Sequence, residues 1–554
     1  MISWIVLLSG GIRNNTLHDL TDFFMPKIFV ADDVSEKGLQ PLRDAGFMVD
    51  KRTGLSGQAL RDALADADGL VVRSETKVTA ELMDAARKLR VIGRAGVGVD
   101  NIEVPAATAR GIVVMNAPDG NTITTAEHTM ALLIALARNV PQANASIHAG
   151  KWERKRFIGA ELQGKTLGIV GLGRIGRAVA IRARGFGMII VAHDPFTAPD
   201  QARDMEIETA SLDEVFSRAD FLTVHTPLTS ETRGLVGAPA FAKMRPGVRV
   251  INCARGGLLD EAALFDAIKS GVVAGAALDV FEQEPPPPDH PLLGLDEVIM
   301  TPHLGASTTE AQEGVAITVA EQMRDYLLSE TLRGAVNIPA LGAKELASLQ
   351  PYLALAESLG RFQAQLVGSA VSEVRLDFAG ELVNLDAAPV TRSFLAGLLR
   401  DVSARVNVVN AFVIAEERRI TVTTSYVRGG HSAPAIRTRV MSAAGEQIVS
   451  GTVFGIAEGE REGRITEINE FRIEAALRGR MLVMHNRDVP GVIGRVGTIL
   501  GEQSINISAF QLGRRQRGGE AMAVIEIDAA AQPETIAALR ALPEILTVRE
   551  IKLN

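Results

Sequence analysis

The chain has 554 residues, of which 47% are hydrophobic and 22% are charged, with a formal net charge of −8. This length predicts several domains with packed cores, and the composition excludes a disordered protein. The acidic balance argues against nucleic acid or an anionic membrane as the main partner. The single cysteine, Cys253, excludes an internal disulfide framework and fits a reducing compartment, so we expect the protein in the cytoplasm.

The amino-terminal residues 1–24 contain a short apolar stretch without a basic region or a small-residue cleavage site, so they do not resemble a signal peptide. We expect them to form a disordered extension, with the fold beginning near Met25. The longest apolar run, TMALLIALA at residues 129–137, is about half of the ~20 residues that a membrane helix needs. It predicts a buried helix.

Strand-like and helical stretches alternate twice along the first part of the chain. The first series, from Pro26 to Met115, has the predicted strands KIFVA, FMVDK, GLVVR, VIGRA and IVVMN. A long helical pattern over residues 122–148 leads to a second series, TLGIVGLG, MIIVAHD, FLTVHTP, VRVINCA, GAALDVF and EVIMTPHLG. This alternation predicts two α/β units, each a parallel sheet with helices on both faces.

The pattern changes after residue 339. A helical stretch over residues 344–366 precedes segments of alternating polarity, which predict a β-rich α+β domain. From Arg480 onward the predicted order is strand, helix, strand, strand, helix, strand, as in a ferredoxin-like domain. The expected domains are residues 25–119 with 306–338, residues 120–305, residues 339–475 and residues 479–554.

A G-x-G-x-x-G motif, formed by Gly171, Gly173 and Gly176, joins a predicted strand to a predicted helix. In a dinucleotide site these glycines allow a tight turn, close approach of the pyrophosphate and close packing of the helix. Asp194 ends the next predicted strand, where a carboxylate would bind ribose hydroxyls and repel a 2′-phosphate, which favours NAD over NADP. There are alternatives to both interpretations. The glycines could be present for packing alone, and Asp194 could be a solvated residue in a turn.

Three further predicted strand ends carry His303, Glu284 and Arg255. Oxidation of an alcohol by hydride transfer needs a base, for which histidine is suited, and a carboxylate that orients the imidazole. Arginine is suited to grip a substrate carboxylate. His225 also follows a strand and is an alternative base, Glu284 could be a solvated loop residue, and Arg255 could only tie down its loop. Spacing alone leaves these alternatives open.

The segments GKTLGIVGLGRIG, INCARGGLLDE, GAALDVFEQEP and TPHLGAST resemble the D-isomer-specific 2-hydroxyacid dehydrogenases. With VVRSETKVT, GRAGVGVDNI and MNAPDGNTITTAEH, the resemblance extends from about Met25 to Pro339 and is closest to the branch that oxidises 3-phospho-D-glycerate. It implies a Rossmann-like, doubly wound NAD domain inserted in a flavodoxin-like substrate domain. It also implies His303 as the acid/base, Glu284 as its partner and Arg255 as the residue that orients the substrate.

The same resemblance implies further contacts. Those to NAD are Val97, Gly171, Gly173, Arg174, Ile175, Gly176, Asp194, Thr226, Cys253, Ala254, Asp279, Gly305 and Ala306. Those to the substrate are Arg73, Ser74, Arg94, Gly98 and Asn116. Arg73 and Arg94 are the candidates for binding a phosphate group, with Arg154 and Lys155 as contributors from a neighbouring subunit. The alternative for each is a surface ion pair.

The carboxy-terminal residues 480–554 resemble an ACT domain, a module that pairs with a copy from another subunit and binds amino acids. The resemblance implies an L-serine effector at Asn486, Asp488 and Asn506, and a homodimer or homotetramer. Residues 340–475 resemble the intervening domain of the long members of the family, giving an α+β domain followed by a ferredoxin-like ACT domain. No metal site is expected.

The activity implied is the NAD-dependent oxidation of 3-phospho-D-glycerate to 3-phosphohydroxypyruvate, the first step of L-serine biosynthesis. One alternative is a dehydrogenase of another D-2-hydroxy acid, such as glycerate, lactate or glyoxylate. Another is a binding protein that senses NAD(H), like the corepressors that share this fold. Turnover on a panel of hydroxy acids separates the three.

Overall fold

The computed structural model describes residues 25–339, 343–403, 405–427, 435–455 and 461–553, and the extension expected at residues 1–24 lies outside them. Its internal contacts divide the chain into two compact units. Unit 1 comprises Met1–Thr76, Gly93–Val99 and Asn116–Leu332, and unit 2 comprises Lys77–Ile92, Asp100–Met115 and Arg333–Asn554. Within the described part of the chain, no helix has both the length and the apolar character needed to cross a bilayer.

The first series alternates short strands and helices, as the sequence predicts. Its elements are β1 (Lys27–Val30), α1 (Gln40–Asp44), β2 (Met48–Lys51), α2 (Gly57–Leu64), β3 (Gly69–Val72), α3 (Ala80–Ala85), β4 (Val91–Arg94), α4 (Val104–Ala109) and β5 (Val113–Asn116). β1 lies between β2 and β3, and the three strands run parallel. All four residues of β3 are buried, as expected for a strand covered on both faces.

The long helix predicted over residues 122–148 is two helices, α5 (Thr122–Arg138) and α6 (Val140–His148). Asn139 lies between them with φ 52°, in the left-handed region that ends a helix and that asparagine tolerates. Pro141 follows in the first turn of α6, where its missing N–H costs nothing. The prediction of one continuous helix is therefore wrong at Asn139.

The second series forms a seven-stranded parallel sheet. Its elements are β6 (Thr166–Val170), α7 (Arg174–Gly185), β7 (Ile189–His193), α8 (Pro199–Asp204), β8 (Glu208–Thr209), α9 (Leu212–Arg218), β9 (Phe221–Val224), α10 (Ala238–Phe241), β10 (Val248–Asn252), α11 (Glu261–Lys269), β11 (Val273–Leu278), β12 (Val298–Met300) and α12 (Thr309–Ser329). The strand order is β12-β11-β10-β9-β6-β7-β8. The order reverses between β6 and β9, the point at which doubly wound sheets bind ligands, so the predicted Rossmann-like fold is confirmed.

The third series, in unit 2, is the predicted α+β domain. Its elements are α13 (Ala343–Val367), β13 (Val371–Ala379), α14 (Ala388–Leu399), α15 (Ala411–Glu417), β14 (Thr421–Val427), β15 (Ala435–Ser442), β16 (Gly445–Phe454), β17 (Glu462–Ile468) and β18 (Phe471–Ala476). The sheet order is β14-β13-β15-β16-β17-β18. α13 crosses α14 closely, because a Cβ on Gly360 would lie 2.1 Å from the Phe394 carbonyl oxygen.

The last series has the predicted ferredoxin-like order. Its elements are β19 (Gly479–Arg487), α16 (Val492–Glu502), β20 (Ile507–Arg514), β21 (Glu520–Ile527), α17 (Pro533–Arg540) and β22 (Ile545–Leu553). The antiparallel sheet has the order β20-β21-β19-β22. Alternation along β19 places Leu482 and Met484 beneath α16 and α17, whereas Met481 and Val483 join the core of the preceding domain.

Candidate active site

The glycine turn between β6 and α7 needs glycine for different reasons at its three positions. Gly171 has φ 95°, and a Cβ there would lie 2.6 Å from the His225 carbonyl oxygen. A Cβ on Gly176 would lie 2.1 Å from the carbonyl oxygen of Gly171, so α7 passes directly against the turn. A Cβ on Gly173 would meet no atom within 4 Å. Close packing therefore explains why Gly171 and Gly176 are glycines. It does not explain Gly173, where the space around the backbone is open.

That open space fits a dinucleotide phosphate. Gly173 is the N-cap of the twelve-residue α7, and no side chain caps the helix there. Asp194, directly after β7, accepts a hydrogen bond from the Leu172 N–H of the turn at 2.7 Å. The Oγ1 atom of Thr226 is buried and has no hydrogen-bond partner among the described residues. NAD needs hydrogen-bond donors and acceptors. The start of α7, the Asp194 carboxylate and the Thr226 hydroxyl could supply them.

His303 and Glu284 form the closest pair of the expected catalytic residues. The Nδ1 atom of His303 lies 2.7 Å from Glu284 Oε2, and the side chains are 51% and 38% exposed. Glu284 Oε1 also accepts the Phe281 N–H at 3.1 Å. Burial raises the pKa of the Glu284 carboxyl, but the bonds from His303 and Phe281 outweigh burial and hold it below its ordinary value. The carboxylate therefore remains ionised beside the imidazole.

The loop that carries His303 is held by Asp279, which directly follows β11. Asp279 is fully buried and accepts the backbone N–H groups of Leu304 and Gly305 at 2.7 and 2.8 Å. The Thr301 hydroxyl donates to it at 2.5 Å, and His128 Nε2 lies 3.1 Å away. Burial raises the pKa of the Asp279 carboxyl, and these bonds lower it further than burial raises it. The expected contact with NAD is thus also the anchor of the catalytic loop.

Arg255 lies on the loop after β10, and this loop packs against the one that carries Glu284. The Asn252 side chain accepts the Ala254 N–H at 3.0 Å and donates to the Arg255 carbonyl at 2.9 Å, which fixes the turn. A Cβ on Gly256 would lie 1.7 Å from the Phe281 carbonyl oxygen. Because β10, β11 and β12 are neighbours in the sheet, the loops bearing Arg255, Glu284 and His303 leave from adjacent strands.

His225, the alternative base, is held differently. Its Nε2 lies 3.0 Å from Thr223 Oγ1, and burial lowers the pKa of the imidazole to about 4. A base of that strength is weak near neutral pH, whereas His303 has an ionised partner. Burial also raises the pKa of the Cys253 thiol to about 12, so the thiol is protonated near neutral pH.

The expected substrate residues of the first series lie at strand ends. Asp32, almost fully buried after β1, accepts the Arg73 N–H at 2.6 Å and the Thr76 N–H at 3.1 Å, so it holds the loop that includes Ser74. The Arg73 side chain donates to the Asp33 carbonyl at 3.2 Å. The Asp32 carboxylate therefore fixes the backbone of this loop, and the Asp33 carbonyl orients the Arg73 side chain.

A second substrate loop follows β4. The Asn116 side chain donates to the Val97 carbonyl, and the Ala117 N–H donates to the Gly96 carbonyl at 2.9 Å. A Cβ on Gly96 would lie 1.8 Å from Arg94 Nη1, so the guanidinium covers this turn. The structure thus brings together Arg94, Val97 and Asn116, with Gly98 next in the chain.

The remaining expected residues have simpler surroundings. Arg174 pairs with Asp119 at 2.6 Å at the start of α7, and Ile175 packs on the core beneath that helix. Thr125 donates to the Gly305 carbonyl at 2.9 Å, and Ala306 follows. Both Arg154 and Lys155 are exposed in a short 3-10 turn.

The expected effector residues do not all meet within one chain. Asn486 is 3% exposed and has an unpartnered buried Oδ1, and Asp488 accepts the Gly518 N–H at 3.1 Å. Asn486 is level with Ala521 on β21, whereas Asn506 donates to Asp528 beyond the other end of that strand. The separation along the strand is roughly 20 Å. Asn506 therefore does not face Asn486 in the same chain.

Sequence reasoning missed the residues that hold the loops. Asp32, Thr125, His128, Asn252 and Thr301 bind backbone groups or carboxylates of the site, and none was expected to contribute. Asp32 directly follows the predicted strand KIFVA, and Asn252 lies near the end of the predicted strand VRVINCA, so their positions carried a signal. His128 and Thr125 lie on α5 and are brought to the site only by the fold. The described residues contain no group of three or more His, Cys, Asp or Glu side chains suited to a metal ion.

Three family profiles match this chain. Residues 130–305 match the NAD binding domain of D-isomer specific 2-hydroxyacid dehydrogenases. Residues 348–492 match the D-3-phosphoglycerate dehydrogenase intervening domain, and residues 480–544 match the ACT domain. The matches follow the same order as the predicted domains.

Curated relatives match over nearly the whole chain. The D-3-phosphoglycerate dehydrogenase of Archaeoglobus fulgidus is 42% identical, with 95% of this chain and 100% of that protein covered. That of Bacillus subtilis is 42% identical, with 96% and 100% covered. Among solved structures, a glyoxylate reductase from Paecilomyes thermophila is 30% identical with a TM-score of 0.52, covering 56% of this chain and 98% of its own. A Thermus thermophilus protein is 37% identical with a TM-score of 0.52, covering 56% and 99%.

Proposed function

The chain belongs to the family of D-3-phosphoglycerate dehydrogenases, and from that premise we propose that it oxidises the C2 hydroxyl of 3-phospho-D-glycerate to 3-phosphohydroxypyruvate, the first step of L-serine biosynthesis. Its cofactor is NAD, since residues 130–305 are an NAD-binding domain of this family. When bound, NAD supplies the acceptor for the hydride that leaves C2. The other chemistry belongs to the side chains.

In this proposal His303 takes the proton of the C2 hydroxyl. The Nδ1–H donates to the ionised Glu284, so the ring presents the lone pair of Nε2 to the substrate. The carboxylate stabilises the imidazolium that forms when the proton arrives. Asp279 fixes the backbone beside the ring through the Leu304 N–H, which limits the positions that the base can adopt. The 2.7 Å contact between His303 and Glu284 is the observation that carries the proposal.

Substrate orientation is assigned to arginines. Arg255, on the loop beside that of Glu284, grips the carboxylate next to C2, because a guanidinium binds a carboxylate through two parallel hydrogen bonds. Arg73 and Arg94 bind the phosphate, with Ser74, Gly98 and Asn116 beside them. Arg154 and Lys155 are exposed, and in this proposal they contribute to the substrate site of a neighbouring subunit. The expected domain boundaries form part of the same proposal.

The test is formation of NADH from a panel of D-2-hydroxy acids: 3-phosphoglycerate, glycerate and lactate, with reduction of glyoxylate by NADH as the reverse assay. The proposal expects kcat/KM for 3-phosphoglycerate to exceed that for glycerate by at least about 100-fold, because only the former uses the phosphate-binding arginines. Preference for an unphosphorylated acid would support a different hydroxyacid dehydrogenase. NAD(H) binding without turnover on any of them would support the sensing protein.

We further propose an L-serine effector site at Asn486 and Asp488, completed by Asn506 of another copy of the chain. The distance between the two ends of β21 supports this arrangement, because one chain cannot supply all three side chains to one ligand. A homodimer or homotetramer would then be the form that binds serine. Serine titration of the wild type and of Asn506→Ala, with sedimentation to measure assembly, tests this arrangement.

A further inference from the structure

We propose that Glu261 and His290 are positioning residues for the reaction, because together they hold the loop that carries Glu284. Glu261 is the first residue of α11, and His290 lies in the segment between β11 and β12. Glu261 Oε2 lies 2.8 Å from His290 Nε2, and the two side chains are only 13% and 10% exposed. This inference rests on the proposed function, since it assigns two further residues to the same active site.

Both carboxylate oxygens of Glu261 bind the segment between β11 and β12. Oε1 accepts the backbone N–H of Glu282 at 2.7 Å, and Oε2 binds the His290 imidazole. Glu284 lies between these two positions in the chain, so one carboxylate holds the loop that presents it on both sides. A hydrogen bond to an ionised group is stronger than one between neutral groups, which suits Glu261 to this task.

The His290 imidazole is fixed at both of its nitrogens. Nδ1 accepts the Leu292 N–H at 3.4 Å, so the ring proton is on Nε2, and the Nε2–H donates to Glu261. The ring also meets that of Phe281 edge to face, with the centroids 6.4 Å apart. The backbone N–H of His290 donates to the Pro287 carbonyl at 3.0 Å. His290 therefore offers Glu261 a donor whose position is set by its surroundings.

The peptide group between Phe281 and Glu282 transmits this hold to Glu284. Its N–H, that of Glu282, donates to Glu261, and the preceding N–H, that of Phe281, donates to Glu284 Oε1 at 3.1 Å. Its carbonyl faces the neighbouring loop, because a Cβ on Gly256 would lie 1.7 Å from the Phe281 oxygen. Without Glu261 this peptide could tip, and the Phe281 N–H that orients the Glu284 carboxylate would tip with it.

Glu261 also connects two of the catalytic loops. The segment from β10 to α11 carries Arg255 and ends at Glu261, whereas Glu282 belongs to the loop of Glu284. The Glu282 side chain adds little to this connection, because it lies 3.4 Å from Arg233 and the two are 62% and 58% exposed. The backbone bond to Glu261 is therefore the contact that ties the loops together.

The test is a double-mutant cycle of Glu261→Ala with Glu284→Gln, measured as kcat and KM with the D-2-hydroxy acid that the wild type turns over. We expect Glu261→Ala to lower kcat about tenfold and to leave KM for NAD unchanged. If Glu261 acts through Glu284, it should have almost no further effect on kcat when Glu284→Gln is already present. An equal loss in both backgrounds overturns the inference, because damage elsewhere in the fold would add to the loss of Glu284.

The role of His290 is tested by a variant that keeps its donor. His290→Gln places an N–H group near the position of Nε2 and should keep kcat within about threefold of the wild type, whereas His290→Leu should lower kcat about tenfold. Asp289→Asn, at the exposed neighbouring position, is the matched control and should retain activity. Thermal unfolding shows whether each variant is folded. Wild-type kcat in His290→Leu overturns the assignment of this residue.

Hydrogen exchange of the backbone amides tests the hold on Glu284 without any substrate. Exchange at Phe281 and Glu282 should be at least about tenfold faster in Glu261→Ala than in the wild type, and unchanged in Asp289→Asn. If the wild type turns over none of the hydroxy acids but shows this difference, the proposed function is wrong and the hold on Glu284 is supported. Unchanged exchange at Phe281 in Glu261→Ala overturns the inference, whatever the substrate.

Discussion

His303 Nδ1 lies 2.7 Å from Glu284 Oε2, and the two side chains come from loops that follow neighbouring strands, β12 and β11. His303 has φ 54°, a left-handed backbone that costs a non-glycine residue free energy. The surrounding bonds from Leu304 and Gly305 to Asp279 hold this conformation. The buried carboxylate of Asp279 thus fixes the backbone beside the imidazole.

The first prediction concerns the charge of Glu284. Glu284→Gln keeps the shape of the side chain but removes the negative charge that stabilises the imidazolium, so kcat should fall by about 100-fold or more while KM changes little. Steady-state kinetics measures both constants. Glu282→Gln, at an exposed neighbouring position, is the control and should retain activity. A full-activity Glu284→Gln enzyme would show that the carboxylate is only a loop residue.

The second prediction concerns the open space at Gly173. A methyl group there meets no protein atom within 4 Å, so Gly173→Ala should fold normally, but it would occupy the approach to the start of α7. We expect KM for NAD to rise roughly tenfold, the equivalent of one lost hydrogen bond to a charged group. Gly185→Ala, also in open space on α7, is the matched control and should leave KM unchanged. Equal effects of the two substitutions would place the dinucleotide elsewhere.

The third prediction concerns acid stability. Burial lowers the pKa of His225 from an ordinary 6.5 to about 4, so between these pH values the unfolded chain binds a proton that the folded chain does not. The free energy of unfolding should therefore decrease as the pH is lowered from about 6.5 to about 4, by up to about 3 kcal/mol from this residue. In His225→Asn the loss between pH 7 and pH 4 should be smaller by that amount, as measured by urea unfolding. His148→Asn, at an exposed site, should match the wild type.

The fourth prediction concerns the loop Arg405–Asn410 of unit 2. The Asn407 side chain donates to the Gly111 carbonyl at 2.7 Å, and a Cβ on Gly111 would lie 2.6 Å from the Arg405 carbonyl oxygen. Gly111→Ala should therefore lower the free energy of unfolding by about 2–3 kcal/mol, from its positive φ and the close contact together. Gly54→Ala has a similar φ of 72° but meets nothing within 4 Å, and should lose only the backbone part. Equal losses of unfolding free energy in the two variants would mean that the loop Arg405–Asn410 moves to accommodate the added methyl group at little cost.

The sequence predicted the sheets well because their signals are local. Buried parallel strands appear as apolar runs such as those of β3 and β6, and βα alternation determines which edge of the sheet carries the loops. The three strand-end residues His303, Glu284 and Arg255 could be recognised for the same reason. The break at Asn139 was missed because one left-handed residue within a long apolar helical pattern leaves little trace in periodicity.

The parts that could not be predicted depend on pairs far apart in sequence. Asp32 binds the loop at Arg73, and His128 reaches Asp279, contacts that no local pattern reveals. Local patterns alone left the choice between His303 and His225 open, because both follow strands, and the family resemblance implied His303. In the structure the two imidazoles differ in their partners and in their burial. The distance of Asn506 from Asn486 follows from strand register in the antiparallel sheet, which composition does not fix.

The role of His303 as the base is tested most directly by the turnover of 3-phosphoglycerate by His303→Asn and His225→Asn, assayed as NADH formation with saturating NAD. Asparagine tolerates the left-handed backbone at position 303, so the fold should persist and can be checked by thermal unfolding. We expect kcat to fall by about 1,000-fold in His303→Asn and to stay within a few fold of the wild type in His225→Asn. Unchanged turnover in His303→Asn, or its loss in His225→Asn alone, would contradict the assignment of the base.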